Sequence, residues 1–315
     1  MIQELIKRYI WLIDTIARAR DEGITYQQIN EKWQHSSLSN GEPYPWRTYQ
    51  NHKKNVEEIF GIVIKCRKTN DTYYIADNDE LQNTKGFQKW MLETISLGNN
   101  LYQCDKLRNR ILLEDVPSGR IYLQDVLQAM QESHKIMFYY RPYWWEGEAP
   151  QDICDFEPYA LKMFKRRWYL LGRKNGLGEE NTEDNDLRIY ALDRFEDIDI
   201  AEDKFSMPDS FDAESFFQHY FGIIVDSHAK IETVKLKVDV FQAKYFRSLP
   251  LHSSQEEIES NDNYAVFAYR LKPTFDFRQE LLSLGDCVEV LSPSHFRKEM
   301  QDTIKQMRAL YQTKK

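Results

Sequence analysis

The sequence contains few cysteines and no long apolar run, and both absences narrow what the protein can be. Its four cysteines lie far apart, with no CxxC pair and no Cys/His cluster, so no zinc site is predicted. They are Cys66, Cys104, Cys154 and Cys287. Scattered thiols are typical of a reducing cytoplasm. The longest apolar runs, such as residues 221–225, are too short to span a bilayer, and the first turns of the chain lack the three regions of a signal peptide. We therefore expect a cytoplasmic protein without a membrane partner.

Catalytic motifs are also missing. The seven histidines form no Ser/His/Asp, HExxH or Cys/His arrangement. The glycines of residues 172–178 lack the Gly-Lys-Ser/Thr end of a phosphate loop. The sequence therefore predicts no enzyme, no catalytic residue, no metal ligand and no cofactor. Because active-site residues converge in space, a nucleic-acid-processing enzyme or an enzyme accessory subunit remains the alternative.

Length and charge indicate several domains with different partners. A chain of 315 residues is long enough for two or three cores. Its net charge is -8, but residues 1–76 carry eleven Lys/Arg against nine Asp/Glu, which leaves 31 against 41 for the rest. Only the N-terminal part therefore has a charge suited to duplex DNA.

Residues 1–78 have the pattern of a winged helix-turn-helix DNA-binding domain. Apolar residues at helical spacing lead to Gly23, Thr25 caps a second short helix, and Pro45 begins a third helix that Gly61 ends. Two strand-like runs around the turn at 69–71 follow. In a domain with this order the third helix enters the major groove. The alternative is a generic three-helix domain with a solvated polar face.

The residues predicted to contact DNA fall into two groups. Arg47 and Asn51 of the third helix would read guanine and adenine edges, and Thr48 and His52 are predicted on the same side of that helix. Basic residues of that helix and the hairpin would contact phosphates, namely Lys53, Lys54, Lys65, Arg67 and Lys68.

The rest of the chain predicts an α+β architecture in four parts. Residues 79–134 read as a helical connector, either an intrachain spacer or a surface that pairs with a second chain. Residues 135–202 contain five short strands, which predict a small, strongly bent barrel. A proline-containing linker covers 203–230. Residues 231–315 have the strand-helix-strand-strand-helix-strand order of a ferredoxin-like α/β domain.

One stretch of the barrel, residues 156–174, forms a positive island. Six basic residues occur there, with no acid from Ala160 to Lys174, beside Trp168 and Tyr169. Cations neutralise phosphate and flat rings stack on bases, which suits a nucleotide or a single-stranded oligonucleotide. Because a strand alternates its faces, Trp168 and Tyr169 point to opposite sides. We expect Trp168 to be the more buried of the two.

The same stretch carries a family resemblance. PYALKMFKRRWYLLGR followed by LRIYALDRFEDI resembles the signature of WYL-domain transcriptional regulators. The segment WRTYQNHKKNVEEIFGIVIKC is similar to their winged helix-turn-helix, and LLSLGDCVEVLSPSHFRKEM resembles their C-terminal extension domain. The resemblance implies an Sm-like five-stranded barrel (the WYL domain) that senses a ligand, in several members a nucleic-acid fragment.

Matching positions in this family give the effector-binding candidates. The resemblance implies Tyr140, Trp168, Tyr169 and Arg194, with Arg188 in a less certain register. Arg194 and Arg141 would hold phosphate while Tyr140 or Trp168 stacks. The basic residues Lys165, Arg166 and Arg167 complete the set. We therefore predict a homodimeric, DNA-binding transcription regulator whose barrel binds an anionic effector, a nucleotide or oligonucleotide, that controls operator binding.

Overall fold

In the computed structural model, the protein forms two compact units, Met1–Glu114 and Asp115–Lys315. The described residues are 2–36, 38–76, 119–143, 149–174, 187–226 and 228–312, with the separate positions 94, 110, 112, 116, 117, 146 and 147. Helices and antiparallel sheets alternate along these residues, so the predicted α+β class is confirmed. None of the described helices combines the length and apolar character needed to cross a membrane.

The N-terminal unit contains the three helices and the hairpin that the sequence predicts. Its elements are α1 (Ile2–Ala17), β1 (Ile24–Thr25), α2 (Tyr26–Gln34), α3 (Trp46–Phe60), β2 (Ile64–Arg67) and β3 (Thr72–Ile75). The strands form an antiparallel sheet in the order β1-β3-β2. Apolar residues from all three helices and the sheet meet in one core, which includes Leu12, Ile29, Tyr49, Val56 and Ile64.

Local signals fix where these helices begin and end. Thr25 and Gln28 form a capping box at the start of α2, in which the Gln28 amide donates to Thr25 Oγ1 at 3.2 Å and the Thr25 amide donates to Gln28 Oε1 at 3.0 Å. Pro45 immediately precedes α3, and Gly61 ends it in the left-handed conformation with φ +65°. The predicted starts of α2 and α3 are therefore confirmed.

The predicted helical connector covers residues 79–134, and most of its positions before residue 119 lie outside the described residues. Its last helix, α4 (Leu123–Glu132), packs on the sheet that follows. Val126 and Ala129 on this helix are fully buried in the core of that sheet. This part of the segment therefore belongs to the sheet's own core.

The five-stranded sheet is antiparallel and strongly irregular. Its strands are β4 (His134–Tyr140), β5 (Gln151–Phe164), β6 (Arg167–Lys174), β7 (Leu187–Ala191) and β8 (Phe195–Lys204), in the order β7-β6-β5-β4-β8. Register shifts in β4 and β5 mark bulges, which bend strands. Among the described residues no pairing joins β7 to β8, so this sheet is open and its closure into an Sm-like barrel stays a prediction.

Aromatic residues fill the core under the sheet. The rings of Phe138 and Phe195 stack with centroids 4.2 Å apart, and Phe156 packs edge-on against Phe138 at 5.5 Å. Gly172 of β6 lies opposite Pro158 of β5 beside a register shift, and a Cβ there would collide with the Glu157 carbonyl oxygen and the Phe156 ring. Only glycine therefore permits this close approach of two strands.

The C-terminal domain has the element order that the sequence predicts. After the short helix α5 (Ala213–Phe217) come β9 (Glu232–Asp239), α6 (Val240–Ser248), β10 (Glu256–Ser260), β11 (Tyr264–Leu271), α7 (Phe275–Ser283), β12 (Val288–Ser292) and α8 (Ser294–Gln312). The sheet order is β10-β11-β9-β12, all antiparallel. The central strand β9 alternates as expected, since Val234, Leu236 and Val238 are all fully buried.

Candidate functional site

The end of β4 and the turn before β8 bring an arginine between two tyrosines. In this turn, Leu192–Arg194, the carbonyl oxygen of Arg194 accepts from the Arg141 amide at 3.1 Å, which ties the turn to the end of β4. Arg194 Nη1 donates to the Tyr140 hydroxyl at 3.5 Å, and its guanidinium lies over the Tyr143 ring, 3.9 Å from the centroid. This short cation–π contact fixes the orientation of the guanidinium.

A second arginine approaches Tyr143 from β6. Arg167 lies near the Tyr143 hydroxyl, and its Nη1 lies 3.5 Å from Asp193 Oδ2. The Asp193 side chain is only 4% exposed, so a buried carboxylate faces the Arg167 guanidinium. We call these five residues, Tyr140, Tyr143, Arg167, Asp193 and Arg194, the arginine cluster; its formal charge is +1.

The tyrosine hydroxyls around the cluster stay protonated at neutral pH. Burial raises the pKa of Tyr140, although the nearby Arg194 opposes this shift. Burial also raises the pKa of Tyr190 to about 12, and its ring packs edge-on against Tyr140 at 4.8 Å. For Tyr169, which faces the cluster from β6, burial again raises the pKa while Arg167 lowers it. Neutral hydroxyls beside guanidinium groups are suited to bind phosphate or carboxylate oxygens.

Two polar atoms of the cluster are left without a hydrogen-bond partner among the described residues. They are Arg194 Nε and Asp193 Oδ1, both buried. A buried, unpaired polar group costs about 1–3 kcal/mol. The Tyr143 ring, by contrast, is 73% exposed, so the cluster borders solvent. The cluster therefore places an exposed ring beside an arginine whose Nε retains hydrogen-bonding capacity.

Only part of the predicted effector set gathers here. Tyr140, Arg167, Tyr169 and Arg194 lie together, but three other cations have partners elsewhere. Lys165 Nζ lies 2.8 Å from Glu280 Oε2 on α7, Arg141 Nε lies 2.5 Å from Glu196 Oε1, and Arg188 Nη1 donates to the Leu187 carbonyl at 2.9 Å. Arg166 is in the exposed turn between β5 and β6, with φ +66°. The positive island of the sequence is thus divided in space.

The expected burial of the aromatic pair is reversed. Tyr169 is buried with 9% exposure, whereas Trp168 is half-buried. The two do point to opposite faces, because Trp168 packs with Leu170 against the core and Tyr169 faces the arginine cluster. The prediction that Trp168 is the more buried residue is therefore wrong, since both faces of β6 are covered.

Sequence reasoning missed Tyr143 and Asp193. Asp193 immediately precedes Arg194 in the chain. An acid beside a predicted phosphate-binding arginine is a usable signal, because a half-buried guanidinium needs a counterion. Tyr143 follows β4 by three residues in a stretch dense in aromatics. Nothing in its spacing distinguishes it from its neighbours.

The N-terminal unit carries a separate cationic surface on α3. Arg47, Asn51 and Lys54 are spaced i, i+4 and i+7 and are all exposed, so they lie on one face of the helix. Lys54 Nζ lies 3.4 Å from Glu58 Oε1 at the far end of this face. We call Arg47, Asn51 and Lys54 the α3 face.

Other predicted DNA contacts lie beside or behind the α3 face. Lys65 and Lys68 of the hairpin are exposed, whereas Thr48 and Arg67 are half-buried. The Arg67 guanidinium lies over the Tyr74 ring at 4.4 Å. Lys53 is half-buried, with its Nζ 3.9 Å from Glu57 Oε1.

His52 does not lie on the exposed face predicted for it. It is 6% exposed, its Nδ1 is 2.6 Å from the Tyr44 hydroxyl, and its ring packs edge-on against Tyr9 at 5.1 Å. Burial, with a smaller effect from Arg8, lowers the pKa of His52 to about 4. The residue is therefore a neutral core histidine, and its assignment to DNA is corrected.

Comparison with known proteins identifies the second unit. A family model described as WYL domain matches residues 121–200, and one described as WCX domain matches residues 230–308. The first match includes α4, in agreement with its burial against the sheet, and the second covers the four-stranded domain. The fold and the two matches together define a chain with a WYL domain followed by a WCX domain. Residues 121–200 are thus similar to WYL domains and residues 230–308 to WCX domains, which confirms the resemblance of the sequence to WYL-domain regulators.

Two solved structures are distantly similar to the whole chain. One is proteasome accessory factor B/C (PafBC) of Arthrobacter aurescens, with 19% identity, a TM-score of 0.34, and coverage of 93% of this chain and 46% of that one. The other is a CRISPR Cas-related protein, with 14% identity, a TM-score of 0.39, and coverage of 98% and 84%. This chain thus spans less than half the length of PafBC. Neither likeness is close enough to carry a functional argument, and no curated protein matches the chain.

Proposed function

We propose that this protein is a DNA-binding transcription regulator whose WYL domain binds an anionic effector. In this proposal the N-terminal unit is a winged helix-turn-helix, the WYL sheet is an Sm-like barrel, and the WCX domain is ferredoxin-like. The observation that carries the proposal is the gathering of cations at two places on an acidic chain, exposed on the α3 face and half-buried in the arginine cluster, one in each compact unit.

The α3 face is suited to the major groove. An exposed arginine and asparagine one turn apart match the donor and acceptor patterns of guanine and adenine edges. Lys54 on the same face and Lys65 and Lys68 on the hairpin are exposed and suited to contact phosphates. The buried side of α3, which includes Tyr49 and Val56, anchors the helix to its own core. The unit would therefore present α3 to DNA as a rigid element.

The arginine cluster is suited to a nucleotide or a short single strand. Its two guanidinium groups would hold phosphate oxygens, and the exposed Tyr143 ring would stack on a base. Asp193 orients Arg167 while leaving the cluster positive. An effector regulates DNA binding only if it binds more tightly to one arrangement of the DNA-binding units. We propose that the protein is a homodimer, because two paired N-terminal units would read half-sites about 10 base pairs apart.

The DNA part is tested by fluorescence anisotropy with duplexes from the region upstream of the gene. We expect wild-type binding to weaken linearly with log salt concentration. The double variant Arg47→Ala/Lys54→Ala should bind at least about 10-fold more weakly and lose about one unit of salt slope per phosphate contact. Lys244→Ala, which removes an exposed cation of α6, is the matched control. Equal affinity and slope in wild type and double variant would rule out the α3 face.

The effector part is tested by thermal unfolding of the full chain with short single-stranded oligonucleotides. We expect wild type to be stabilised and Arg194→Met to lose the stabilisation, because the guanidinium that holds phosphate is gone. Lys204→Met removes an exposed cation of β8 that lies outside the predicted effector set, and it should keep the effect. Loss of stabilisation in both variants, or none in wild type, would contradict binding at the arginine cluster.

A further inference from the structure

The WCX domain contains a polar cavity that the proposed function does not use. It has a volume of about 410 Å³ and lies among the start of α7, the start of α8 and the segment that leads into β9. Thr274, Phe275 and Arg278 line it from α7, and Lys230 lines it from the incoming segment. The cavity belongs entirely to the second compact unit.

The start of α7 has an unused capping residue. Thr274 occupies the N-cap position, yet its hydroxyl makes no capping hydrogen bond. The residue is 6% exposed, and its Oγ1 has no hydrogen-bond partner among the described residues. The first amides of any helix also lack partners within the helix, and its dipole is positive at this end. Hydroxyl and amides together form a polar site that favours an oxyanion.

Arg278, one turn into α7, adds a charged donor to the same wall. Its guanidinium lies over the Phe275 ring, 5.3 Å from the centroid, and its Nε is buried without a partner among the described residues. Its Nη1 is 3.7 Å from Glu299 Oε2, a long ion pair that leaves the Nε edge unused. Two residues that line the same cavity, Thr274 and Arg278, therefore each have a buried polar atom without a hydrogen-bond partner among the described residues.

Carboxylates on the other walls restrict what the ligand can be. Asp226, Glu232 and Glu299 also line the cavity, together with two histidines. His295 Nε2 lies 3.4 Å from Glu232 Oε1. Three carboxylates oppose a bare phosphate dianion, but they accept hydrogen bonds from hydroxyl groups. A ligand that carries both an oxyanion and hydroxyls satisfies both sides.

We propose that this cavity binds the phosphate monoester of a small polyhydroxylated molecule. The phosphate lies at the start of α7 against Thr274, Arg278 and Lys230, and the hydroxyls donate to Glu232 and Glu299. The site is connected to the WYL sheet. Asp276 on α7 accepts from the amides of Ile223 and Ile224 at 2.8 and 2.6 Å.

The same connecting segment contacts the WYL sheet directly. Lys162 Nζ of β5 donates to the Gly222 carbonyl at 2.7 Å and lies over the Phe217 ring at 4.1 Å. Burial lowers the pKa of Lys162 to about 8, with Asp276 opposing the shift. Occupancy of the cavity thus acts on a segment that is held by both domains.

Isothermal titration of the full chain with ribose 5-phosphate tests the proposal, with ribose and inorganic phosphate as separate titrants. We expect only the ester to bind well. Thr274→Val removes the hydroxyl at constant shape and should weaken binding about 10-fold, and Arg278→Met should weaken it further. Without ligand, Thr274→Val should unfold at the same or a higher temperature than wild type, because it removes an unpaired buried hydroxyl. Lys244→Gln is the matched control.

Each remaining outcome overturns part or all of the assignment. If ribose binds as tightly as ribose 5-phosphate, the phosphate group is not recognised. If inorganic phosphate binds as tightly, the sugar part of the ester is not recognised. No binding of any titrant, or full affinity in Thr274→Val and Arg278→Met, overturns the site. Arg194→Met should bind ribose 5-phosphate like wild type. The inference therefore fails or stands separately from the proposed regulator function.

Discussion

The α3 face and the arginine cluster hold their cations in opposite ways. Arg47 and Lys54 project into solvent, and the Glu58 carboxylate 3.4 Å from Lys54 forms an exposed pair of the kind that contributes little to stability. Arg167 and Arg194 are half-buried between tyrosine rings and a carboxylate that is 4% exposed. Removing the charges of the α3 face should therefore leave the stability of the N-terminal unit unchanged, whereas removing those of the arginine cluster should destabilise the five-stranded sheet.

The largest expected effect separates the two units. Gly172→Ala places a methyl group against the Glu157 carbonyl and the Phe156 ring, and overpacking of this kind costs about 3 kcal/mol. We expect the unfolding transition of the second unit to shift to lower temperature in calorimetry, while DNA affinity of the intact chain below that transition is retained. If Gly172→Ala unfolds at the same temperatures as wild type, β5 and β6 can move apart at little cost, and the close approach at Gly172 is not required.

The next effect concerns the support beneath the α3 face. Because burial and Arg8 hold the pKa of His52 at about 4, below the ordinary value of 6.5, the fold favours its neutral form. The stability contribution is complete above pH 6.5 and is lost as pH falls towards 4, by about 2–3 kcal/mol. We expect the NMR resonance of the His52 ring to titrate near pH 4. Titration near pH 6.5 would contradict its burial.

The cation comparison itself predicts a difference in stability. Arg194→Met removes the contacts to Tyr140 and Tyr143, which should cost about 1 kcal/mol in denaturant unfolding. Arg47→Ala removes no such contact, so its free energy of unfolding should stay within about 0.5 kcal/mol of wild type. Equal costs for the two substitutions would remove the distinction between the surfaces.

The smallest expected effect sharpens the α3 face. Glu58→Gln removes a carboxylate beside Lys54 and one negative charge near the proposed phosphate path. DNA affinity should rise about 2- to 5-fold at low salt, and the gain should shrink as salt screens the charge. Glu259→Gln, an exposed acid of β10, should have no effect. A gain of the same size in both variants would indicate net charge alone.

Local signals predicted the elements, and they did so for physical reasons. The Thr25 capping box, Pro45 before α3 and the alternation along β9 each act within a few residues, so the sequence contains them directly. Helical periodicity places His52 on the polar side of α3, because the pattern of one helix contains no information about Tyr44, the loop residue that covers it. Its burial depends on a contact outside the helix.

The arginine cluster could be predicted only in part. The family resemblance supplied Tyr140 and Arg194, and the positive island supplied Arg167, but Tyr143 and Asp193 were not predicted. Tyr143, Arg167 and Asp193 lie in three segments separated by more than twenty residues. Their meeting depends on the register of β6 with β7, which places Tyr169 opposite Ala191. Lys165 looked equivalent to Arg167 in sequence, yet it lies in a hairpin turn and pairs with Glu280. The sequence places Lys165 and Arg167 together, and only the strand pairing shows that they lie in different environments.

The central claim is that an effector at the arginine cluster changes the affinity of the N-terminal unit for DNA. Fluorescence anisotropy of a bound duplex, with and without a saturating short single-stranded oligonucleotide, measures this directly in wild type and Arg194→Met. We predict a change in Kd of at least about 5-fold for wild type and none for the variant. An unchanged wild-type Kd at saturation, or an equal change in Arg194→Met, would contradict the account.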